Sequence, residues 1–157
     1  MKKNIQILVG THNDGKFREI SKLISKRIKK ISPKTLKIKA PRETGKSFKS
    51  NSELKANYFF KKSKLISLSD DSGLEIKALK NKPGIFSARW AKHYGSFQKA
   101  MKEILKKLGG KKNRKARFIC SLSIKFDNKK IITCTGIING KISDKILGTK
   151  GFGYDPI

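Results

Sequence analysis

Acid is scarce in this chain. Its 157 residues hold 11 Asp and Glu against 39 Lys and Arg, a formal net charge of +28. Cysteine and histidine are scarcer still, two of each. Cys120 and Cys134 lack metal-ligand or disulfide-framework spacing and are expected as reduced core residues in strands. His12 and His93 are too far apart in sequence to imply a zinc site. No apolar run approaches the ~20 residues of a membrane span, and the start, Met1-Lys2-Lys3-Asn4, leads into an apolar stretch too short for a signal-peptide core. No membrane partner is expected, and the cytoplasm is the expected compartment. Aromatics make up 8% of the chain and are not interleaved with the basic runs. The lysine excess has three accounts: a nucleic-acid footprint, steering of small anionic substrates, or compositional drift. Its even spread favours the last two, so nucleic acid is not the expected partner.

Against this background one feature stands out. Asp70 and Asp71 are the only adjacent acids. They follow the apolar run Leu65-Ile66-Ser67-Leu68-Ser69 and precede Ser72-Gly73. Two carboxylates at a strand end can hold a divalent cation or polarise a water.

The length predicts one domain over residues 1–157. Ile5 to Val9 reads as a buried strand. Gly10 to Gly15 is rich in turn formers. Phe17, Ile20, Leu23, Ile24, Ile28 and Ile31 then fall at helical spacing, predicting a helix that Pro33 ends. Leu36 and Ile38 predict a strand. Ser50, with Glu53 three residues on, reads as a capping box opening a helix to about Lys64. Leu65 to Ser69 predicts a strand, Ser72-Gly73 a turn, and Leu74 to Ala78 a second strand. Phe97, Ala100, Met101, Ile104, Leu105 and Leu108 mark a helix closed by Gly109-Gly110. Phe118, Cys120, Leu122, Ile124 and Phe126 alternate strictly, predicting a strand that buries that face. Asp127-Asn128-Lys129 reads as a hairpin turn into Ile131 to Ile138. Strands and helices alternating around one sheet give an α/β fold class.

Gly10-Thr11-His12-Asn13-Asp14-Gly15-Lys16 spells the G-x-x-x-x-G-K of a phosphate-binding loop between a strand and a helix. The next residue is Phe17, where that loop needs Ser or Thr to hold Mg²⁺. Two readings remain. The helix N-terminus, with Thr11, Asn13 and Lys16 as added donors, can bind phosphate, or the segment is a strand-to-helix turn capped by Asn13 or Asp14.

Four segments together point to a family: Thr11-His12-Asn13-Asp14-Gly15-Lys16-Phe17-Arg18-Glu19, Asp70-Asp71-Ser72-Gly73-Leu74, Pro83-Gly84-Ile85-Phe86-Ser87-Ala88-Arg89, and Gly151-Phe152-Gly153-Tyr154-Asp155-Pro156. Glu43-Thr44-Gly45-Lys46-Ser47-Phe48, with Asn51 and Lys55-Ala56 behind it, adds a fifth. In this order they resemble the inosine/xanthosine triphosphate pyrophosphatases, which clear non-canonical purine nucleotides. The resemblance implies a two-lobed α/β fold with a long mixed sheet flanked by helices and a nucleotide cleft between the lobes. It also implies a homodimer, Mg²⁺ dependence, and hydrolysis of ITP, dITP or XTP to monophosphate plus pyrophosphate.

By the same resemblance, Thr11, His12, Asn13, Asp14, Gly15 and Lys16 cradle the triphosphate, and Lys55 reaches it. Asp71 is general base and metal ligand, with Asp70 and Glu43 as further metal carboxylates. Arg42 stands where many relatives have another acid. Ser72 touches substrate, Arg89 sits near the phosphates, and Phe152, Gly153, Tyr154 and Asp155 line the base and sugar end. Relatives continue beyond the Gly-Phe-Gly-Tyr-Asp-Pro motif into a segment that helps read the purine, so this chain is expected to lack it. A catalytically impaired nucleotide- or RNA-binding protein on the same scaffold, and a phosphohydrolase of the P-loop type, are the competing readings.

Overall fold

The computed structural model describes residues 5–148 and 151–157. The element order is β1 (Gln6–Val9), α1 (Asp14–Leu23), β2 (Lys29–Ile31), α2 (Phe48–Ser63), β3 (Ile66–Ile76), β4 (Lys82–Pro83), α3 (Ser87–His93), α4 (Phe97–Lys107), β5 (Lys115–Lys125) and β6 (Ile131–Lys141). The strands form a mixed six-stranded sheet of order β2-β1-β3-β5-β6, with β4 on β3. β1 runs parallel to both β2 and β3, and β4 is antiparallel to β3. The α/β class expected from the sequence is therefore present. The chain divides into two compact units, with boundaries after Asp71, Cys120 and Thr135.

The first unit holds the chain up to Asp71 together with Ser121–Thr135. Leu8 and Val9 of β1 are fully buried, with Phe59 and Ala56 of α2. Gly10 closes β1 by donating its N–H to the Leu68 carbonyl, 2.7 Å away. A Cβ at Gly10 would overlap Ser69 Oγ and the Phe59 ring, so the backbone turns here only because no side chain is present.

Several expectations for this unit are corrected. The first helix stops at Leu23, and Lys29–Ile31 is a strand on β1. The helical spacing of Ile28 and Ile31 is thus a coincidence: Lys29 N–H bonds the Ile5 carbonyl, and sheet pairing overrides the local pattern. Leu36 lies in the turn at residues 33–37, and Ile38 just past it bonds back to the Pro33 carbonyl, so neither is in a strand. The second helix opens three residues early. Ser47 is its cap, and Ser47 and Ser50 exchange the reciprocal capping-box bonds. The face of β5 made by Ser121 and Ser123 is the fully buried one, while Leu122 and Ile124 are half-buried. Ser123 Oγ lies 2.7 Å from Ser52 Oγ and 2.8 Å from Thr133 Oγ1, and Thr133 donates to Glu53 Oε1. A satisfied hydroxyl network beneath α2 replaces the apolar packing that alternation predicted. Cys134 is exposed rather than a core residue, and both cysteines are free thiols.

The second unit holds Ser72–Cys120 with the chain from Gly136 onward. α3 and α4 cover the second half of β3, with Leu74, Ile76, Ala91, Ala100, Met101, Ile104 and Leu108 in one core. The α4 stripe and its Gly-Gly end follow the sequence reading. The predicted Ser72-Gly73 turn is absent, because β3 continues unbroken through it.

Candidate active site

The first unit gathers most of the candidate residues at the carboxyl ends of β1 and β2. In the order β2-β1-β3 the chain leaves β1 for β2 on one side and then crosses back to β3 on the other, and open α/β sheets place ligands at such a switch point. The turn Gly10 to Asn13 leads into α1, and Asn13 Oδ1 accepts the Lys16 N–H at 3.1 Å as the helix cap. Asn13 N–H in turn donates to Thr11 Oγ1. The capping reading of Asn13 is therefore correct, and it leaves a helix N-terminus beside β3. His12 is exposed, with Nε2 3.0 Å from the Ile38 carbonyl. Asp14 pairs with Lys34 at 2.6 Å on the surface.

Asp70 and Asp71 are successive strand residues, so their side chains leave on opposite faces. Their partners come from different helices. Lys16 of α1 donates to Asp70 Oδ2 at 2.6 Å. Asn51 of α2 donates to Asp71 Oδ2 at 3.0 Å, and Lys55, one turn on, lies 3.6 Å from Asp71 Oδ1. Lys55 also donates to Glu43 Oε1 at 2.9 Å. Thr11 to Lys16, Glu43, Lys55, Asp70 and Asp71 thus stand on elements that meet within one unit.

The carboxyl of Asp71 is only 8% exposed. Burial pushes its pKa above the ordinary 3.8; Lys55 and Asn51 pull it back and Glu43 adds to the rise. For Lys55 burial alone would lower the ammonium, but Asp70, Asp71 and Glu43 together hold it above its ordinary value. The two directions agree physically: Lys55 faces three anions, whereas Asp71 faces dehydration and a second carboxylate.

Asn51 was not singled out as a site residue by the sequence reading. It is fully buried and is bonded twice, to Asp71 and, through Oδ1, to the Gly45 N–H at 2.8 Å. It therefore ties the loop carrying Glu43 to the strand carrying Asp71. Gly45 permits this, since a Cβ there would overlap Asn51 Oδ1 and Ser50 Oγ. The available signal was the i, i+4 spacing of Asn51 and Lys55 on α2.

The fit of a metal is decided by the donors. Among the described residues no group of three or more His, Cys, Asp or Glu is poised as a cage. Glu43 and Asp71 do share one cation, the Lys55 ammonium. Two oxygen donors that already hold a cation suit Mg²⁺, which binds through one or two carboxylates and completes its shell with phosphates and water.

In the second unit, Ser72 follows Asp71 and is half-buried. Arg89 is exposed on α3, its guanidinium 4.8 Å above the Phe86 ring. Tyr154 is not displayed for stacking. It is buried edge-on against Phe97, donates to the Ser87 carbonyl at 2.9 Å, and its hydroxyl pKa is pushed up to about 12 by burial. Asp155 Oδ2 accepts the Phe152 N–H and shapes that loop. A Cβ at Gly153 would meet only the edge of Phe97.

Comparison with known proteins gives the family. The family model described as the Ham1 family matches residues 7–157. The dITP/XTP pyrophosphatase of Zymomonas mobilis is 36% identical over 156 residues, covering 97% of this chain and 75% of the relative. That of Caulobacter vibrioides is 38% identical, covering 97% and 79%. Among solved structures, the Staphylococcus aureus Ham1 protein superposes with a TM-score of 0.85 at 34% identity, over 97% of this chain and 79% of that one. A HAM1 protein from Coxiella burnetii gives 0.87 at 32% identity, over 98% and 80%. The match runs through every element that carries the carboxylate–lysine cluster, and this chain belongs to the Ham1 family.

Proposed function

We propose that the chain hydrolyses non-canonical purine nucleoside triphosphates, ITP, dITP and XTP, to the monophosphate and pyrophosphate, in the cytoplasm where such nucleotides form. The observation that carries this reading is the buried Asp71, held by Asn51 and Lys55 of α2, next in the strand to Asp70, which Lys16 of α1 holds. The named activity of the 36–38% identical relatives supplies the substrate class.

Asp71 is the group that accepts a proton from the attacking water. A carboxylate is a weak base against free water. Asp71 with Glu43 would hold Mg²⁺, which would supply the missing acidity by lowering the pKa of water and neutralising phosphate oxygens. Asn51 keeps the Asp71 carboxylate in one orientation. Lys16, Lys55 and the first amides of α1 offset the charge that grows on the phosphates. Asp70 supports the metal indirectly by fixing Lys16. For Ser72, Arg89, Phe152 and Gly153 of the second unit, a role toward the nucleotide rests on the family resemblance alone. Asp14 and Tyr154, engaged with Lys34 and Ser87, shape the substrate-binding segments rather than touching substrate.

The active species is a homodimer. Phe126 and Ile132, exposed apolar residues of the β5–β6 hairpin, support this, and light scattering of the purified chain tests it. The functional test is turnover of ITP, XTP, ATP and GTP with and without Mg²⁺. Metal-dependent release of pyrophosphate from ITP and XTP is expected. Salt-sensitive RNA binding with no turnover would favour the binding-protein reading instead.

A further inference from the structure

Lys55 occupies an unusual position for a substrate-binding lysine. Its ammonium is not extended into solvent; the side chain is 12% exposed and sits between Glu43 and Asp71. Lys16 stands in the same relation to Asp70. Neighbouring residues of β3 therefore carry two ion-paired sets, Lys16 with Asp70 and Lys55 with Glu43 and Asp71.

We propose that Lys55 is the placeholder cation of the nucleotide-free site, yielding Glu43 and Asp71 to a divalent cation only when a polyphosphate takes up its ammonium. The proposal rests on the reading given under Proposed function. Two like charges about 4 Å apart repel one another, and do so more strongly near a protein surface than in bulk water. A divalent cation entering alone would meet Lys55 at such a distance and would have to displace it from two of the three carboxylates that attract it, with no replacement partner arriving. A polyphosphate provides that partner. The four-carbon stem of lysine lets the ammonium swing without moving α2, which a rigid guanidinium fork would not permit as readily. Asn51 stays bonded to Asp71 throughout and keeps the carboxylate in place while its cation is exchanged.

The consequence is a coupling. Metal and polyphosphate each strengthen the other's binding, by the same factor in both directions. The exchange also keeps Asp71 paired with a cation while the site waits, avoiding an uncompensated buried carboxylate.

The test is titration of the full chain with Mn²⁺, read by electron paramagnetic resonance, with and without an imido-bridged ITP analogue that resists hydrolysis. The wild type is expected to bind Mn²⁺ weakly alone and about tenfold or more tightly with the analogue. Lys55→Met should bind Mn²⁺ about tenfold more tightly than wild type without nucleotide, and the coupling should shrink. Its thermal midpoint should fall in metal-free buffer and be restored by MgCl₂ but not by NaCl of equal ionic strength. Unchanged or weaker Mn²⁺ affinity in folded Lys55→Met overturns the proposal and leaves Lys55 a plain structural ion pair. Should Lys55→Met fail to fold even with MgCl₂, the wild-type arm decides: equal Mn²⁺ affinity with and without analogue overturns it, strong coupling supports it. Strong coupling without turnover of any purine triphosphate supports the exchange and overturns the enzymatic reading alone.

Discussion

At the scale of single residues, Asp71 and Asn51 make opposite predictions. Burial raises the Asp71 pKa, so the folded chain holds this proton more firmly than the unfolded chain. Stability from such a group is full below its ordinary pKa and declines as pH rises through the folded value. At neutral pH without metal, the ionised Asp71 carboxylate therefore costs some stability, as expected of a group retained for the proposed chemistry. Lys55 retains Glu43 as a partner when the Asp71 charge is removed. Asp71→Asn should lower turnover by roughly 10³-fold while leaving the metal-free thermal midpoint unchanged or higher, as measured by scanning fluorimetry. Asn51→Ala should do the reverse. It removes the hydrogen bond on Asp71 Oδ2 and leaves the Gly45 N–H without its Asn51 acceptor, at a cost of about 1–3 kcal/mol in a denaturant titration. Turnover should fall about 10- to 100-fold, the usual effect of removing a group that orients a metal ligand.

At the scale of elements, Gly45 and Ser47 separate site geometry from helix stability. Gly45→Ala pushes a methyl into the side chains of Asn51 and Ser50, and should cost about 1–3 kcal/mol along with turnover. Ser47→Ala removes only the α2 cap, and should cost about 1 kcal/mol with kcat little changed. Elements were legible where one period held without competition. The α4 stripe is such a case: its apolar face packs on one sheet half and glycines end it. They were misread where sheet pairing competed. Ile28 and Ile31 continue the α1 period, yet β1 recruits Lys29–Ile31 as a parallel neighbour, a non-local event no local window contains. β3 was broken in two by Ser72-Gly73 because a central strand carrying buried Ser67, Ser69, Asp70 and Asp71 has no apolar alternation to read. The same strand marked the candidate site, since paired acids stand out in a chain so poor in acid. Asn51 stayed hidden because a neutral amide has none until its two partners are seen.

At the scale of the whole molecule, a net charge of +28 raises the local concentration of anions around the chain. Added NaCl should weaken this through screening, since the Debye length falls from about 30 Å at 0.01 M to about 8 Å at physiological salt. KM for ITP should rise severalfold over that range while kcat changes little; a salt-independent KM would assign the lysines to composition alone. Among the described residues, no helix is long and apolar enough to cross a membrane.

The central claim is that water activated at Asp71 attacks the α-phosphorus. Hydrolysis of ITP in heavy-oxygen water, followed by phosphorus NMR, tests it most directly. The isotope shift is predicted on inosine monophosphate with unlabelled pyrophosphate, and both signals should vanish in Asp71→Asn. Label in pyrophosphate, orthophosphate as the first product, or undiminished turnover in Asp71→Asn would contradict the account.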